Sequence, residues 1–227
     1  MPFIIAVDGP VGAGKSTICD AIAQRLDILH LDTGAMYRAA GLFMLQEGID
    51  YSDEEAVCGA LPGVRVTVDY QNGLQHTFLN DEDVTDFIRT QQVGQAASAV
   101  SRYPAVRRKM VDAQRQIAGH LSMIVDGRDI GTVVFPGADI KLYLTASAKS
   151  RAERRMLQLR EAGVQTPFEE ILAEVNARDA QDMNRKTDPL RQAEDAVLVD
   201  STHFDFEQTV DVMLRCINEV RERKANV

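Results

Sequence analysis

FIIAVDGPVGAGKSTICDAIAQRL, residues 3–26, is the stretch whose reading decides the fold. Within it, GPVGAGKS at residues 9–16 satisfies the spacing G-x-x-x-x-G-K-[ST] in full. The motif follows an apolar run at 3–7 that reads as a buried strand and opens an amphipathic run at 16–26 that reads as a helix, the context a phosphate-cradling loop requires. Gly9, Gly12 and Gly14 let the backbone curl so that successive amides face inward, and the positive end of the following helix reinforces them. The loop residues Gly9, Pro10, Val11, Gly12, Ala13, Gly14, Lys15, Ser16 and Thr17 are therefore expected to hold a triphosphate. Lys15 is placed to reach the β and γ phosphates as a mobile point charge, and the Ser16 hydroxyl to take one place on an octahedral magnesium ion that keeps several waters. Thr17 adds a phosphate contact.

Outward from the loop, short apolar β-type runs at 3–7, 28–31, 121–125, 140–144 and 196–199 alternate with helical patterns at 16–26, 35–46, 148–161, 167–182 and 206–221. Strand and helix in series predict βαβ crossovers, hence an α/β fold with a five-stranded parallel sheet flanked by helices on both faces. The last helix starts at a plausible capping pair, Asp205 and Gln208. One segment breaks the rhythm. Val64, Val66 and Val68 alternate with polar residues, Asn72-Gly73 follows, and a second short run passes through Thr77 and Leu79. Asn-Gly between alternating runs predicts a hairpin, because both positions tolerate positive φ. The segment reads as a small antiparallel insertion between the second and third parallel strands, continued by helical residues 88–101. The residues alone leave open whether it is a working lobe or a surface hairpin.

At 227 residues the chain is long enough for one α/β domain, or for such a core carrying an inserted lobe. No apolar run approaches the roughly 18 residues of a membrane span. The formal net charge of −9 opposes non-specific attraction to a nucleic-acid backbone or an anionic membrane, so an anionic ligand has to be met by local arginines. Cys19, Cys58 and Cys216 are odd in number, widely spaced and without a CxxC pair, which suggests neither a disulfide framework nor a zinc site. The start of the chain shows no basic leader, and together these features point to the cytoplasm.

A cradle alone does not separate a kinase from a GTPase switch or a motor; the arginines do. Arg38, Arg107, Arg128, Arg178 and Arg185 fall near element ends or on helices, with Arg151, Arg154, Arg155 and Arg160 in a further group. An enzyme that brings two polyanions together must offset their repulsion, and guanidinium forks do so bidentately at any working pH. Arg178, Asp182 and Arg185 have the spacing i, i+4, i+7, which lines one helix face, either as a ligand-holding row or as a surface ion-pair ladder. Asp126-Gly127-Arg128-Asp129 follows the third parallel strand, where ligands of open α/β sheets gather. Asp126 there could hold a magnesium-bound water and Asp129 could face the acceptor. His30, His76, His120 and His203 show no metal-ligand spacing. No NKxD guanine-reading motif occurs, which argues against a GTPase switch.

At this point the chain resembles the bacterial cytidylate kinases, a branch of the nucleoside monophosphate kinases. The resemblance runs through IIAVDGPVGAGKST, LDTGAMYR at 31–38, RTQQVGQAASAVSRYPAVR at 89–107, VDGRDIGTVVFP at 125–136, RRMLQLREAG at 154–163 and RDAQDMNR at 178–185. It implies a single P-loop kinase domain over 1–227, an inserted monophosphate-binding lobe at 60–100 and a helical lid at 147–166. It also implies transfer of phosphate from ATP to CMP or dCMP with Mg2+; a monomer is the simpler expectation, and the charge balance predicts no nucleic-acid or membrane partner. Carried over by position, Thr33, Ser98, Arg107 and Asp129 surround the cytosine. Arg38, Arg128 and Arg185 hold the acceptor phosphate, and Arg178 with Asp182 contacts the ribose. Arg154 and Arg155 of the lid approach the transferring phosphate, so that Lys15, Arg128, Arg154, Arg155 and Arg185 form the expected catalytic set. Thr33 stands where the family also has serine, which changes packing but not the hydroxyl.

Overall fold

A computed structural model describes residues 2–161 and 163–225. Ala162, within the expected lid, lies outside the described residues. In chain order the elements begin with β1 (Ile4–Asp8), α1 (Lys15–Leu26), β2 (Leu29–Asp32), α2 (Thr33–Gln46) and α3 (Glu54–Ala60). An antiparallel trio follows, β3 (Val66–Gln71), β4 (Leu74–Leu79) and β5 (Glu82–Asp83), then α4 (Gln91–Val100) and α5 (Pro104–Ala118). The chain continues through β6 (Met123–Gly127), β7 (Ile140–Thr145), α6 (Ala148–Glu161), α7 (Phe168–Asn184), β8 (Val197–Asp200) and α8 (Phe206–Ala225). Among the described residues no helix is long and apolar enough to cross a membrane.

The five apolar runs form one parallel sheet in the order β2-β6-β1-β7-β8. Its middle strands read as near-continuous apolar runs because a parallel sheet is covered on both faces: every residue of β6 is buried, as are Ile5, Ala6 and Val7 of β1. The register sets Val7 opposite Leu142 and Asp8 opposite Tyr143. β1 thus ends beside Tyr143 of β7 in the middle of the sheet, where the strand order reverses and ligands of open α/β sheets bind.

The chain forms two compact units, one of Ile28–Met123 with Pro2, the other of Phe3–Asp27 with Ile124–Val227. In the first, the expected hairpin forms with Asn72 and Gly73 both at positive φ, 53° and 79°, as a two-residue turn of matching twist demands. It pairs Val66 with Leu79 and Gln71 with Leu74, and β5 adds a third strand that the sequence reading did not anticipate. α2 packs closely on α4: a Cβ on Gly41 would lie 2.6 Å from the Ala97 backbone nitrogen, so only glycine permits that approach. In the second unit, Asp205 and Gln208 form the expected reciprocal cap of α8, with Gln208 N donating to Asp205 Oδ1 at 2.8 Å and Asp205 N to Gln208 Oε1 at 3.0 Å.

One expectation needs correcting. Arg178, Asp182 and Arg185 do not line one helix face, because α7 ends at Asn184 and Arg185 takes an extended conformation, φ −60° and ψ 142°. Its guanidinium Nε donates to Asp188 O at 2.7 Å, and this fold-back over the next turn stops the helix from continuing.

Candidate active site

The second unit holds the phosphate cradle. Gly9 leaves β1 with φ 153°, and a Cβ there would lie 1.9 Å from Leu144 O, so the backbone passes the neighbouring strand where only glycine fits. Gly14 at φ 85° is the N-cap of α1 and brings no side-chain cap, which leaves the first-turn amides to face the loop. Lys15 is buried, its Nζ donating to Gly9 O at 2.9 Å and Pro10 O at 2.8 Å. Burial lowers its ammonium to about 7; the Arg128 charge adds to the fall and Asp126, Asp182 and Asp8 oppose it.

Ser16 Oγ donates to Asp126 Oδ2 at 3.1 Å, joining the start of α1 to the end of β6. This hydroxyl beside a buried carboxylate is a hard, all-oxygen donor set, the kind magnesium prefers, with waters and phosphates completing its shell. Among the described residues no group of three or more His, Cys, Asp or Glu side chains gathers for a metal.

Beyond the cradle, arginines are mounted on two buried carboxylates. Arg128 Nε donates to Asp182 Oδ2 at 2.8 Å, and Arg178 Nε lies 3.7 Å from Asp182 Oδ1 one helical turn back. Burial pushes Asp182 upward, yet Arg128, Arg178 and Arg185 outweigh it and hold the carboxyl below the ordinary range. Arg185 reaches Asp129 Oδ1 at 3.3 Å, both side chains nearly buried. Five of the expected residues, Arg128, Asp129, Arg178, Asp182 and Arg185, thus form one charged network.

The α6 arginines divide. Arg151, not securely assigned from sequence, is buried and braces the phosphate loop through Val11 O at 2.8 Å while pairing with Asp179 at 2.6 Å. Arg154 donates to Ser201 O at 2.7 Å and Ala13 O at 3.5 Å, and Arg155 is exposed.

In the first unit Thr33 and Ser98 are buried, on α2 and α4. Arg107 is 1% exposed, donates to Ser101 O at 3.3 Å and sits 5.7 Å from the centroid of the Tyr37 ring, one turn beyond Thr33. A guanidinium over an aromatic face is held in plane. Arg38 donates to Ile88 O at 3.1 Å. Asp32 caps α2 through Ala35 N at 3.0 Å and pairs with Arg89 at 3.2 Å.

Two residues escaped the sequence reading. Gln75 Oε1 accepts from Asp32 N at 2.7 Å, tying the hairpin to the start of α2. Asp8, buried at the end of β1, accepts from the amides of Ile130 at 2.7 Å and Gly131 at 2.8 Å. A carboxylate closing an otherwise apolar strand was the available signal.

The model of the cytidylate kinase family matches residues 5–219. The chain is similar to the cytidylate kinase of Caldicellulosiruptor saccharolyticus, 43% identical over 216 residues that cover 95% of this chain and 96% of the relative. It is similar to that of Pasteurella multocida, 42% identical over 223 residues covering 98% of each. With that of Rhodococcus jostii it shares 44% identity over 218 residues, covering 96% of this chain and 95% of the relative.

Proposed function

This chain belongs to the cytidylate kinase family, and from that premise we propose how its residues divide the work. The enzyme moves the γ-phosphoryl group of ATP onto CMP or dCMP, giving ADP and CDP or dCDP. The observation that carries the assignment is the mounting of Arg128, Arg178 and Arg185 on Asp182 and Asp129, in the same unit as the Lys15 cradle. Guanidinium forks already held in place lose little freedom when a phosphate arrives, so they can offset the repulsion between donor and acceptor in an in-line transfer.

In this reading residues Gly9 to Thr17 hold ATP, and Lys15 follows the charge on the β and γ phosphates. Ser16 and, through water, Asp126 would hold Mg2+, which when bound would supply charge neutralisation for the phosphates. Arg38, Arg128 and Arg185 hold the acceptor phosphate, and Arg178 with Asp182 takes the ribose. Arg154 exchanges its Ser201 partner to reach the group in flight, joined by Arg155. No strong general base is required, since a phosphate oxygen is already a nucleophile. The reading includes a cytoplasmic monomer that needs neither nucleic acid nor membrane; the net charge of −9 opposes attraction to either anionic surface, and Cys19, Cys58 and Cys216 are in no disulfide.

Thr33, Ser98, Arg107 and Asp129 read the base. The cytosine amine donates where uracil presents a carbonyl oxygen, so a carboxylate near that edge favours CMP and repels UMP. Such a contact is worth about 1–3 kcal/mol of discrimination. A coupled ADP-release assay over CMP, dCMP, UMP, AMP and GMP is expected to give the highest kcat/KM with CMP or dCMP. Asp129→Asn is expected to shrink the CMP:UMP ratio of kcat/KM by at least about tenfold, mostly through lost CMP activity. Equal loss with both acceptors would move base reading to Ser98 and Thr33.

A further inference from the structure

We infer that Asp8 is a positioning residue for acceptor specificity, a clasp that fixes the backbone behind Asp129 and so aims the side chain that reads the base. This rests on the assignment of Asp129 to the cytosine edge. Asp8 itself lies outside both the phosphate loop and the acceptor set.

The geometry is bidentate. Asp8 Oδ1 accepts from Ile130 N at 2.7 Å and Oδ2 from Gly131 N at 2.8 Å. These are the first two amides after Asp129, so holding them fixes the peptide plane that sets ψ of Asp129 and the direction of its Cα–Cβ bond. Asp129 stands at φ −146° and ψ 29°, outside both helix and strand, and heads the short π-helical turn Ile130–Val134. Its carbonyl accepts from Val133 N at 2.8 Å and Val134 N at 3.1 Å. One irregular turn is thus gripped at both ends, by its own backbone and by the last residue of the central strand.

The clasp is buried, with Asp8 3% exposed. A charged acceptor in such a place is costly unless its bonds are made, and two charge-assisted amide bonds make them. Burial lifts the Asp8 carboxyl to about 6, against the pull of the Gly131 and Ile130 amides, with the Asp129 charge adding to the rise and Lys15 opposing it. A neutral side chain would fill the site at less electrostatic cost, but a neutral amide of that size has one acceptor oxygen where the carboxylate has two, so it cannot meet each N–H with an oxygen of its own. Gly131 completes the fit. A Cβ there would lie 3.3 Å from Asp8 Oδ2 and 3.0 Å from Lys141 Cδ, and Lys141 is itself anchored to Asp195 at 2.9 Å, so it has little room to give. The next residue in the chain after Asp8 is Gly9, so one side chain ties the root of the donor cradle to the base reader.

The test compares CMP:UMP ratios of kcat/KM for the full-length enzyme and for Asp8→Asn, Gly131→Ala, Asp129→Asn and the Asp8→Asn/Asp129→Asn pair, with thermal midpoints alongside. Asp8→Asn keeps the shape but sets an amide donor against one of the two N–H groups. Gly131→Ala keeps the carboxylate and displaces it. Each is expected to cut the ratio at least about tenfold, chiefly through a raised KM for CMP. In the Asp129→Asn background, Asp8→Asn is expected to change the ratio by less than about twofold, because both act through one side chain. If Asp8→Asn does not fold, Gly131→Ala decides alone. Variants that lower activity on both acceptors equally, while Asp129→Asn shifts the ratio, would overturn the clasp as a specificity device and leave Asp129 as reader. A ratio unmoved by Asp129→Asn would remove the reader, and the clasp's role with it.

Discussion

Lys15→Ala is expected to lower turnover by about three orders of magnitude, the scale on which a preorganised charge aimed at developing negative charge contributes. The ammonium stands at the start of α1 with its bonds on the loop's own carbonyls, Gly9 O and Pro10 O. Both carbonyls are acceptors it can leave when phosphate oxygens arrive. Burial lowers the ammonium from 10.5 to about 7, so near neutrality it is only partly protonated while its partners are the loop's own carbonyls. Phosphate charge nearby would favour the protonated form again.

The sign of the stability effect follows from the same shift. Between about pH 7 and 10.5 the unfolded chain binds a proton at Lys15 that the folded chain has released, so native stability rises with pH across that window. Below pH 7 the fold carries the full cost of a buried cation. Lys15→Ala removes that cost, so its thermal midpoint at pH 6 is expected at or above the parent's, with the difference narrowing as pH rises through the window. Steady-state turnover and melting curves at pH 6, 8 and 10 check both halves. A large loss of midpoint at pH 6 together with near-parent turnover would make Lys15 a structural tie between loop and helix.

The parts of the fold that were legible in the sequence are those where one local signal dominates. The five apolar strand runs, the glycine loop and the Asn72-Gly73 turn each announce themselves by periodicity or by a backbone requirement that few residues meet. α3 and α5 were not read as helices. α5 starts at Pro104, which suits a first helical turn but reads in sequence as punctuation. Arg185 was placed on α7 because spacing alone cannot show that its side chain folds back on Asp188 and ends the helix. Asp8 was passed over for a related reason. Its partners are backbone amides 122 and 123 residues away, and no side-chain pattern encodes an amide. The arginines were legible as a composition, but which carboxylate holds each is a property of tertiary structure.

Asp182→Ala is expected to destabilise the protein by about 2–3 kcal/mol. Breaking a fully buried pair costs about 3–5 kcal/mol, and the figure is reduced here because Arg128 keeps 21% of its side chain in water. For a chain of this length that is a fall in thermal midpoint of about 5–10 °C. The cost comes less from the lost bond at 2.8 Å than from the cations left behind, since Arg128 and Arg178 then face each other without the carboxylate between them. Because the arginines hold Asp182 below the ordinary 3.8, its contribution is present above that value and fades as pH falls through the lower, folded one. The gap between parent and variant should therefore close in acid. Asp182→Asn, which keeps an acceptor for Arg128 Nε but no charge, should fall between the two. Orthophosphate supplies the missing anion to the same forks, so it should raise the midpoint of Asp182→Ala more than that of the parent, where the carboxylate competes for them. CMP should do likewise, while its KM rises because the ribose contact is gone. A variant as stable as the parent, or one that phosphate does not help, would mean that these arginines are solvated individually and that the network does not preorganise an anion site.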